Sequence, residues 1–474
     1  MSLSAAKRRF IASATMLLGI ALAAPARAAD TEISLPDAVR HAIASNLDLA
    51  ARRRALAAAR EEIALARSAL LPQVDVGARA QTLDDDRSDS NRGNNVSNSF
   101  LVAAKLSQVI YDEKSWAGFE IQKYVYEGQT QELEAFQLAV VQDAAVAFLE
   151  LDRAQRVLEI QQRNRELTRQ NIEKTRALIA AGWSSDQEVL RWQAQLASND
   201  ADVRAAQVLV LQNRFELNRV RNQPPEEPIA TRPASIDEYG FVYAREPIGK
   251  AVVTPEKDRQ VRDFLARTGL RRSPDLAALD AAIEAAERQL TSSSRAFWVP
   301  SLSLNAGIDH LTNRGSDNDF NETEWGVNGV LSFPLIQGGA KFAGRDQARE
   351  ALAALRIERR SVAQTVEESI RAALAQSSGS FETVGFAERG VAVARRNYEL
   401  VDASYTLGVA SILDLLDAQS ELLQGELADA NALYGFLESL IAVERQLSFY
   451  PFLEASTEVD ALLNQLEQQL GIQP

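Results

Sequence analysis

The feature that most constrains this chain is an internal duplication with a period of about 226 residues. Four short landmarks recur at nearly one offset: residues 46–51, 71–76, 106–110 and 181–185 return as 273–278, 299–304, 331–335 and 407–411. Solenoid proteins repeat far more often, roughly every 20–50 residues. The chain is therefore predicted to contain two copies of one structural unit.

Each copy carries the same elements in the same order. A helix comes first, over about residues 36–70 in the first copy and 274–297 in the second. Alternating apolar residues then predict two strands, and the polar stretch rich in Asn, Asp and Gly between them predicts a hairpin. The hairpins cover about 73–111 and 301–336. Their strands, of about 10–12 residues, have the length of membrane-barrel strands.

After each hairpin comes a long helical stretch without proline, interrupted by one glycine. The four helical runs are about 114–180, 186–221, 340–406 and 412–447, with the interruptions at Gly182 and Gly408. At 1.5 Å per residue, a run of about 67 residues makes a rod of about 100 Å. Such a rod is too long for a single globular core, and its alanine-rich faces predict close packing of helices, as in coiled coils.

A proline-rich segment separates the two copies and completes the domain organisation. The predicted parts are a signal peptide at 1–28, a first repeat at 29–222, a linker or irregular belt at 223–260, a second repeat at 261–450 and a C-terminal segment at 451–474. Five prolines between positions 224 and 247 predict that the linker is not helical.

The first 28 residues have the pattern of a secretory signal peptide. Lys7, Arg8 and Arg9 form a basic start, an apolar stretch follows, and Ala26 and Ala28 supply small residues before the predicted cleavage site. The alternative is a retained membrane anchor, which the short apolar stretch disfavours. The mature protein is therefore expected to work outside the cytoplasm.

Composition argues against several classes of function. The 474 residues include no Cys and only two His, so thiolate zinc sites, cysteine nucleophiles and histidine metal sites are not expected. The net charge of −14 argues against a nucleic-acid partner, because binding phosphates requires clustered Lys and Arg. No pair of residues suited to general acid–base catalysis lies in a sequence context that indicates a pocket. We therefore predict no enzyme activity, no metal and no cofactor.

The number of strands predicts an assembly if the strands lie in lipid. The smallest lipid barrels have about eight strands, and lipid tolerates no open sheet edge, so four strands per chain cannot close alone. Two copies would give eight strands around a filled interior, whereas three would give twelve around a lumen. The strand number alone leaves two, three or more copies open.

These features together resemble the TolC family of outer-membrane efflux and secretion channels. The resemblance rests on the signal peptide, the duplicated unit and four motifs in order: LLPQVDVGA, VPSLSLNAGI, LSFPLIQGGAKFAGRDQA and YTLGVASILDLLDAQSELLQGELA. It implies an α+β membrane protein. Three copies would close a twelve-stranded outer-membrane barrel, continuous with a long α-helical barrel in the periplasm. The segments 223–260 and 451–474 would form an equatorial belt around that tunnel.

The resemblance also implies partners and a mechanism. The partners would be a periplasmic adaptor (membrane fusion) protein, an inner-membrane ABC transporter, outer-membrane lipid and an exported polypeptide. The general pattern favours the type I secretion branch, which includes ducts for RTX-type toxins. A multidrug efflux duct of identical architecture is the alternative, and a soluble periplasmic coiled-coil scaffold is a third possibility. Helix pairs around Gly182 and Gly408 would swing outward to admit the substrate.

Two aspartates are the predicted pore constriction. Asp414 and Asp417 follow the second glycine interruption, and a spacing of three places both carboxylates on one helix face. From the residues alone, a solvated acidic face explains them. By the family resemblance, they match aspartates that ring the periplasmic entrance. Six carboxylates around a narrow axis would repel one another, which should raise their apparent pKa values and favour bound cations.

A latch beside this turn is also implied by the resemblance. Tyr405 falls at the family tyrosine that helps to hold the inner helices shut. An arginine common two residues after the turn valine is replaced here by Ala410. We therefore hypothesise that Glu188 or Arg191, which correspond in the first copy to Asp414 and Asp417, supplies replacement contacts.

Overall fold

The computed structural model describes residues 32–82, 84, 98–183, 185–245, 248, 254–313 and 322–471. The predicted signal peptide at 1–28 and most of both hairpin loops lie outside the described residues. Among the helices that are described, none combines the length and the apolar composition needed to cross a membrane.

The first copy contains four helices and one β-hairpin. Its elements are α1 (Leu35–Ser45), α2 (Leu47–Ser68), β1 (Gln73–Thr82), β2 (Asn98–Tyr111), α3 (Glu113–Ala180) and α4 (Asp186–Val220). The helix predicted over about 36–70 is divided at Asn46, which is a difference from the prediction. The Asn46 side chain accepts a hydrogen bond from the Leu49 amide at 3.0 Å and so starts a new helix.

The second copy repeats this order after a connecting segment. The elements are α5 (Ile236–Tyr239), a 3₁₀ turn (Phe241–Tyr243), α6 (Pro255–Arg272), α7 (Pro274–Arg295), β3 (Ser301–Asn313), β4 (Glu322–Ser332), α8 (Ala340–Thr406), α9 (Ile412–Leu447) and α10 (Ser456–Gln469). The segment 223–260, predicted to be non-helical, therefore contains α5 and the start of α6. The second hairpin ends at Ser332 rather than near 336, because Pro334 cannot donate to a strand ladder.

The two hairpins form one antiparallel sheet in the order β1-β2-β3-β4. One row of directly opposed residues crosses the whole sheet through Val76, Ala104, Ile308 and Trp325. These apolar side chains share a face because opposed residues point the same way. Val76, Ile308 and Trp325 are exposed, at 74%, 47% and 77% of their full surface. The neighbouring row, which begins with Asp75 opposite Lys105, points to the other face.

The helices pack side by side around an apolar core. Helix α3 contacts α4, α7 and α9, and α8 runs along both α9 and α7. Ala144 and Ala145 on α3 are fully buried, and this small-residue face allows close approach of the backbones. An aromatic group lies in the same core, where the ring of Tyr243 meets the ring of Phe436 edge-on at 5.3 Å.

A buried ion pair fixes the helices relative to the sheet. Glu113, the first residue of α3 after β2, receives hydrogen bonds from Arg288 at 2.7 Å and from Arg295 at 3.2 Å, both on α7. The hydroxyl of Tyr111 donates to the same carboxylate at 2.6 Å. The first copy contributes the carboxylate and the second copy the two arginines, so the two helix–hairpin junctions are held together at the base of the sheet.

Candidate functional site

The two glycine interruptions are helix-terminating turns of the same type. Gly182 and Gly408 have φ values of +81° and +72°, which favour glycine over residues that carry a Cβ atom. At each turn the next residue's amide reaches back to a helix carbonyl: Trp183 to Leu178 and Val409 to Ser404, both at 2.9 Å. This pattern satisfies carbonyls that a helix end otherwise leaves free.

Tyr405 lies in the last turn of α8 and connects the two copies. Its side chain is only 4% exposed. The hydroxyl donates to Glu188 Oε2 at 2.8 Å on α4 and lies 3.0 Å from Thr175 Oγ1 on α3. A small apolar cluster packs around it, made of Ile172, Trp192, Ile412 and Leu415 with the half-buried Ala410 at its edge. One side chain therefore links α8 to both long helices of the first copy.

Of the two hypothesised substitutes for the missing arginine, Glu188 lies within hydrogen-bond distance of Tyr405. Arg191 is exposed, one turn further along α4. Within a single chain, the geometry therefore favours Glu188 for this contact. The latch function of these residues stays a prediction.

A buried polar layer lies further along the same helices, and sequence reasoning missed it. Gln419 on α9 donates to Asn164 Oδ1 at 2.8 Å and to Thr168 Oγ1 at 2.7 Å, and it accepts from Asn171 Nδ2 at 2.9 Å. Asn199 on α4 donates to Thr168 Oγ1 at 2.7 Å. None of these side chains is more than 6% exposed. The layer joins α3, α4 and α9 through satisfied buried hydrogen bonds, which fix their register.

A sequence signal for this layer exists in α3. Asn164, Thr168, Asn171 and Thr175 recur at intervals of four, three and four residues, the spacing of a helix face that packs against a partner helix. Polar residues at that spacing ordinarily indicate a solvated face. Here they face other polar side chains, among them Gln419, more than 240 positions away along the chain.

Asp414, which is predicted to lie at the pore constriction, also caps the start of α9. Ser411 donates to Asp414 Oδ2 through its hydroxyl at 2.7 Å and through its amide at 2.8 Å. The Asp414 amide returns a hydrogen bond to Ser411 Oγ at 3.3 Å, which completes a capping box at the start of α9. The hydrogen bonds from Ser411 hold the pKa of Asp414 below its usual value.

Asp414 and Asp417 share the exposed side of α9, opposite the buried Leu415. Within one chain the direction of the Asp414 pKa shift is opposite to that expected for a ring of six carboxylates. A ring of this kind requires other subunits, so the constriction stays a prediction. Exposed apolar side chains lie at both turns, where Trp183 and Val409 are 69% and 80% exposed.

Comparison with known proteins gives a consistent picture. The family model described as "Outer membrane efflux protein" matches residues 38–223 and 265–447. TolC of Vibrio cholerae is 25% identical over 407 residues, covering 85% of this chain and 86% of that protein. The alkaline protease secretion protein AprF of Pseudomonas aeruginosa is 24% identical over 398 residues, covering 80% and 77%. The CmeC outer membrane channel of Campylobacter jejuni superposes with a TM-score of 0.71 at 17% identity, covering 93% and 90%, and so shares the fold.

Proposed function

This chain belongs to the outer membrane efflux protein family, and from that premise we propose that it is the exit duct of a tripartite type I secretion system. It is a channel of the outer membrane with a large helical portion in the periplasm, and it acts as a passive duct rather than an enzyme. Beyond this channel, we propose the number of subunits, the position of the gate, the partner proteins and the exported substrate.

The observation that carries the proposal is the apolar, exposed face of the four-stranded sheet. Its side chains alternate with polar ones such as Asp75 and Lys105, which suits lipid on one side and water on the other. Within the described residues, β1 and β4 each pair along one edge only. Copies of the same chain would satisfy both edges. Three copies would give twelve strands and an open lumen.

The gate would be the end of the helix pairs at Gly182 and Gly408. Opening requires α8 and α9 to move relative to α3 and α4, so the Tyr405–Glu188 hydrogen bond must break. An adaptor protein can favour opening only if it binds the open arrangement more tightly than the closed one. The exposed Trp183 and Val409 offer an apolar contact surface for such a partner. An inner-membrane ABC transporter would supply the energy.

The proposed substrate is an exported polypeptide, such as an RTX-type toxin. The similarity to a protein named for alkaline protease secretion supports this branch. Export of small molecules through a multidrug efflux pump is the second candidate, which the description of the matched family favours. Both candidates require the same duct, so they differ in partners and cargo rather than in architecture.

Two measurements test the proposal. Purified protein extracted with detergent should form trimers and conduct ions in planar bilayers, and a soluble, non-conducting product would contradict the channel. Deletion of the gene should then remove a protein from the culture supernatant without increasing drug sensitivity. Increased drug sensitivity with an unchanged set of secreted proteins would instead support the efflux candidate.

A further inference from the structure

Glu444, near the end of α9, is a buried carboxyl group that none of the contacts described above uses. The residue is 2% exposed, and its Oε2 atom has no hydrogen-bond partner among the described residues. Burial raises the pKa of Glu444 well above its usual value. A buried carboxyl without a partner costs stability, and a bound group of complementary charge would offset that cost.

This carboxyl lines a cavity of about 300 Å³ between the α5 region and the turn that leads into α10. Three further acidic residues line the same cavity: Glu238, Glu454 and Asp460. The aromatic residues Tyr239, Phe241 and Phe452 also line it, whereas no Lys or Arg is among its described lining residues. The volume is at the lower end of the range for small-molecule sites.

The acidic side chains that line the cavity differ in whether a basic side chain pairs with them. Glu238 pairs with Arg232, and Asp460 accepts from Arg245 at 3.0 Å. Glu454 faces another acid, Glu458, and its pKa is raised mainly by burial and by that neighbour, against the opposing effect of Arg272. Glu444 is the deepest of the four and has no described cation beside it. The cavity therefore combines an unpaired buried acid with aromatic walls.

We propose that this cavity binds an organic cation, an ammonium group carried on a short aliphatic stem. On binding, Glu444 would release its proton to solvent and its carboxylate would accept a hydrogen bond from the ammonium group. The aliphatic stem would pack against the rings of Phe452 and Tyr239. A divalent metal fits less well, because the described residues contain no group of three or more His, Asp or Glu placed to hold one. The site is separate from the gate and does not depend on the proposed export role.

The experiment uses the full chain in detergent micelles, with n-butylammonium as the probe and n-butanol as its uncharged counterpart. Calorimetric titration should detect saturable binding of n-butylammonium and much weaker binding of n-butanol. Glu444→Gln should weaken n-butylammonium binding by about tenfold or more, because a charge-assisted hydrogen bond is lost. Glu458→Gln removes the same charge nearby from a side chain outside the cavity lining, and it should leave the affinity nearly unchanged.

A second variant separates loss of the site from loss of the fold. Val459→Trp places a large ring in the cavity without altering any charge, and it should abolish binding while circular dichroism shows unchanged helix content. The proposal fails if wild type and Glu444→Gln bind n-butylammonium equally. It also fails if the wild type does not bind n-butylammonium. That result would mean that a neighbouring subunit fills the cavity or that Glu444 stays neutral in it.

Discussion

The hydroxyl of Tyr405 donates to Glu188 at 2.8 Å, across 217 positions of sequence, and thereby ties the end of α8 to the start of α4. The two residues belong to different copies of the duplicated unit. The contact therefore reports whether the helix pair of the second copy lies against that of the first. Any outward movement of α8 at its glycine turn must break it.

Tyr405→Phe should make the channel easier to open. The substitution removes the hydrogen bonds to Glu188 and Thr175 but keeps the ring in its apolar cluster. We expect it to destabilise the closed arrangement by about 1–2 kcal/mol. Single-channel recording in planar bilayers should show a higher resting conductance. Tyr398→Phe, on the same helix but with only a 3.5 Å contact to Asn171, is the matched control. Equal conductance in both variants would contradict a latch at Tyr405.

Glu188 and Arg191, the two residues hypothesised to replace the missing arginine, should differ in their effect on the resting conductance when each is changed to alanine. Glu188→Ala removes the acceptor of the Tyr405 hydroxyl, so it should raise the resting conductance as Tyr405→Phe does. Arg191→Ala alters an exposed side chain and should leave that conductance within experimental error of the wild type. The same bilayer recordings compare the two variants. A larger effect of Arg191→Ala would place the latch between subunits rather than within one chain.

Gln419→Leu should destabilise the helix bundle. The change leaves buried polar groups on Asn164, Thr168 and Asn171 short of a partner. We expect a loss of about 2–3 kcal/mol, because unsatisfied buried polar groups are costly. Gln424→Leu, on the exposed side of the same helix, makes the same chemical change and serves as the control. Thermal unfolding followed by circular dichroism should show a lower midpoint for Gln419→Leu only.

The free energy of unfolding should fall as the pH rises through the range in which Glu438 ionises. Burial, followed by the nearby Glu150, raises the pKa of Glu438 from 4.5 to about 7, against the opposing effect of Arg153. The folded protein therefore holds this proton more tightly than the unfolded chain. The stabilisation is fully present below about pH 4.5 and is lost as the pH rises to about 7.

Glu438→Gln tests this pH dependence. The variant should remove this part of the decline in unfolding midpoint between pH 5 and pH 8, since Gln does not titrate. Glu399→Gln, an exposed change on α8, should retain the wild-type decline. An identical decline in all three proteins would show that other groups govern the pH dependence.

The sequence predicts those parts of the fold that local residues determine. The bounds of α8 and α9 agree with the prediction at both ends, because Gly339, Gly408 and an αL residue at Ser448 end or begin the helices locally. The strands follow from alternation with a period of two. The division at Asn46 was missed because asparagine within an amphipathic pattern does not by itself distinguish a cap from a solvated position.

The contacts between copies could not be predicted in the same way. The partner of Asn171 is Gln419, and no local pattern specifies which polar residues of two distant helices will meet. Asp414 illustrates the opposite case. The Ser411–Asp414 spacing is a local capping signal that the sequence contains, whereas the sequence prediction for this aspartate is a solvated acidic face or a pore residue.

Gly408→Ala should destabilise the turn for a purely conformational reason. A Cβ atom there would meet nothing within 4 Å, so no clash opposes it, but the φ of +72° is unfavourable for alanine. The expected cost is about 1–2 kcal/mol. Gly390→Ala is the matched control on α8, since it also has open space but lies inside the helix without a left-handed φ. It should stabilise the helix by about 0.5–1 kcal/mol. The thermal unfolding midpoints of the two variants should therefore shift in opposite directions from that of the wild type. A shift of both midpoints in one direction would show that the left-handed turn at Gly408 does not limit stability.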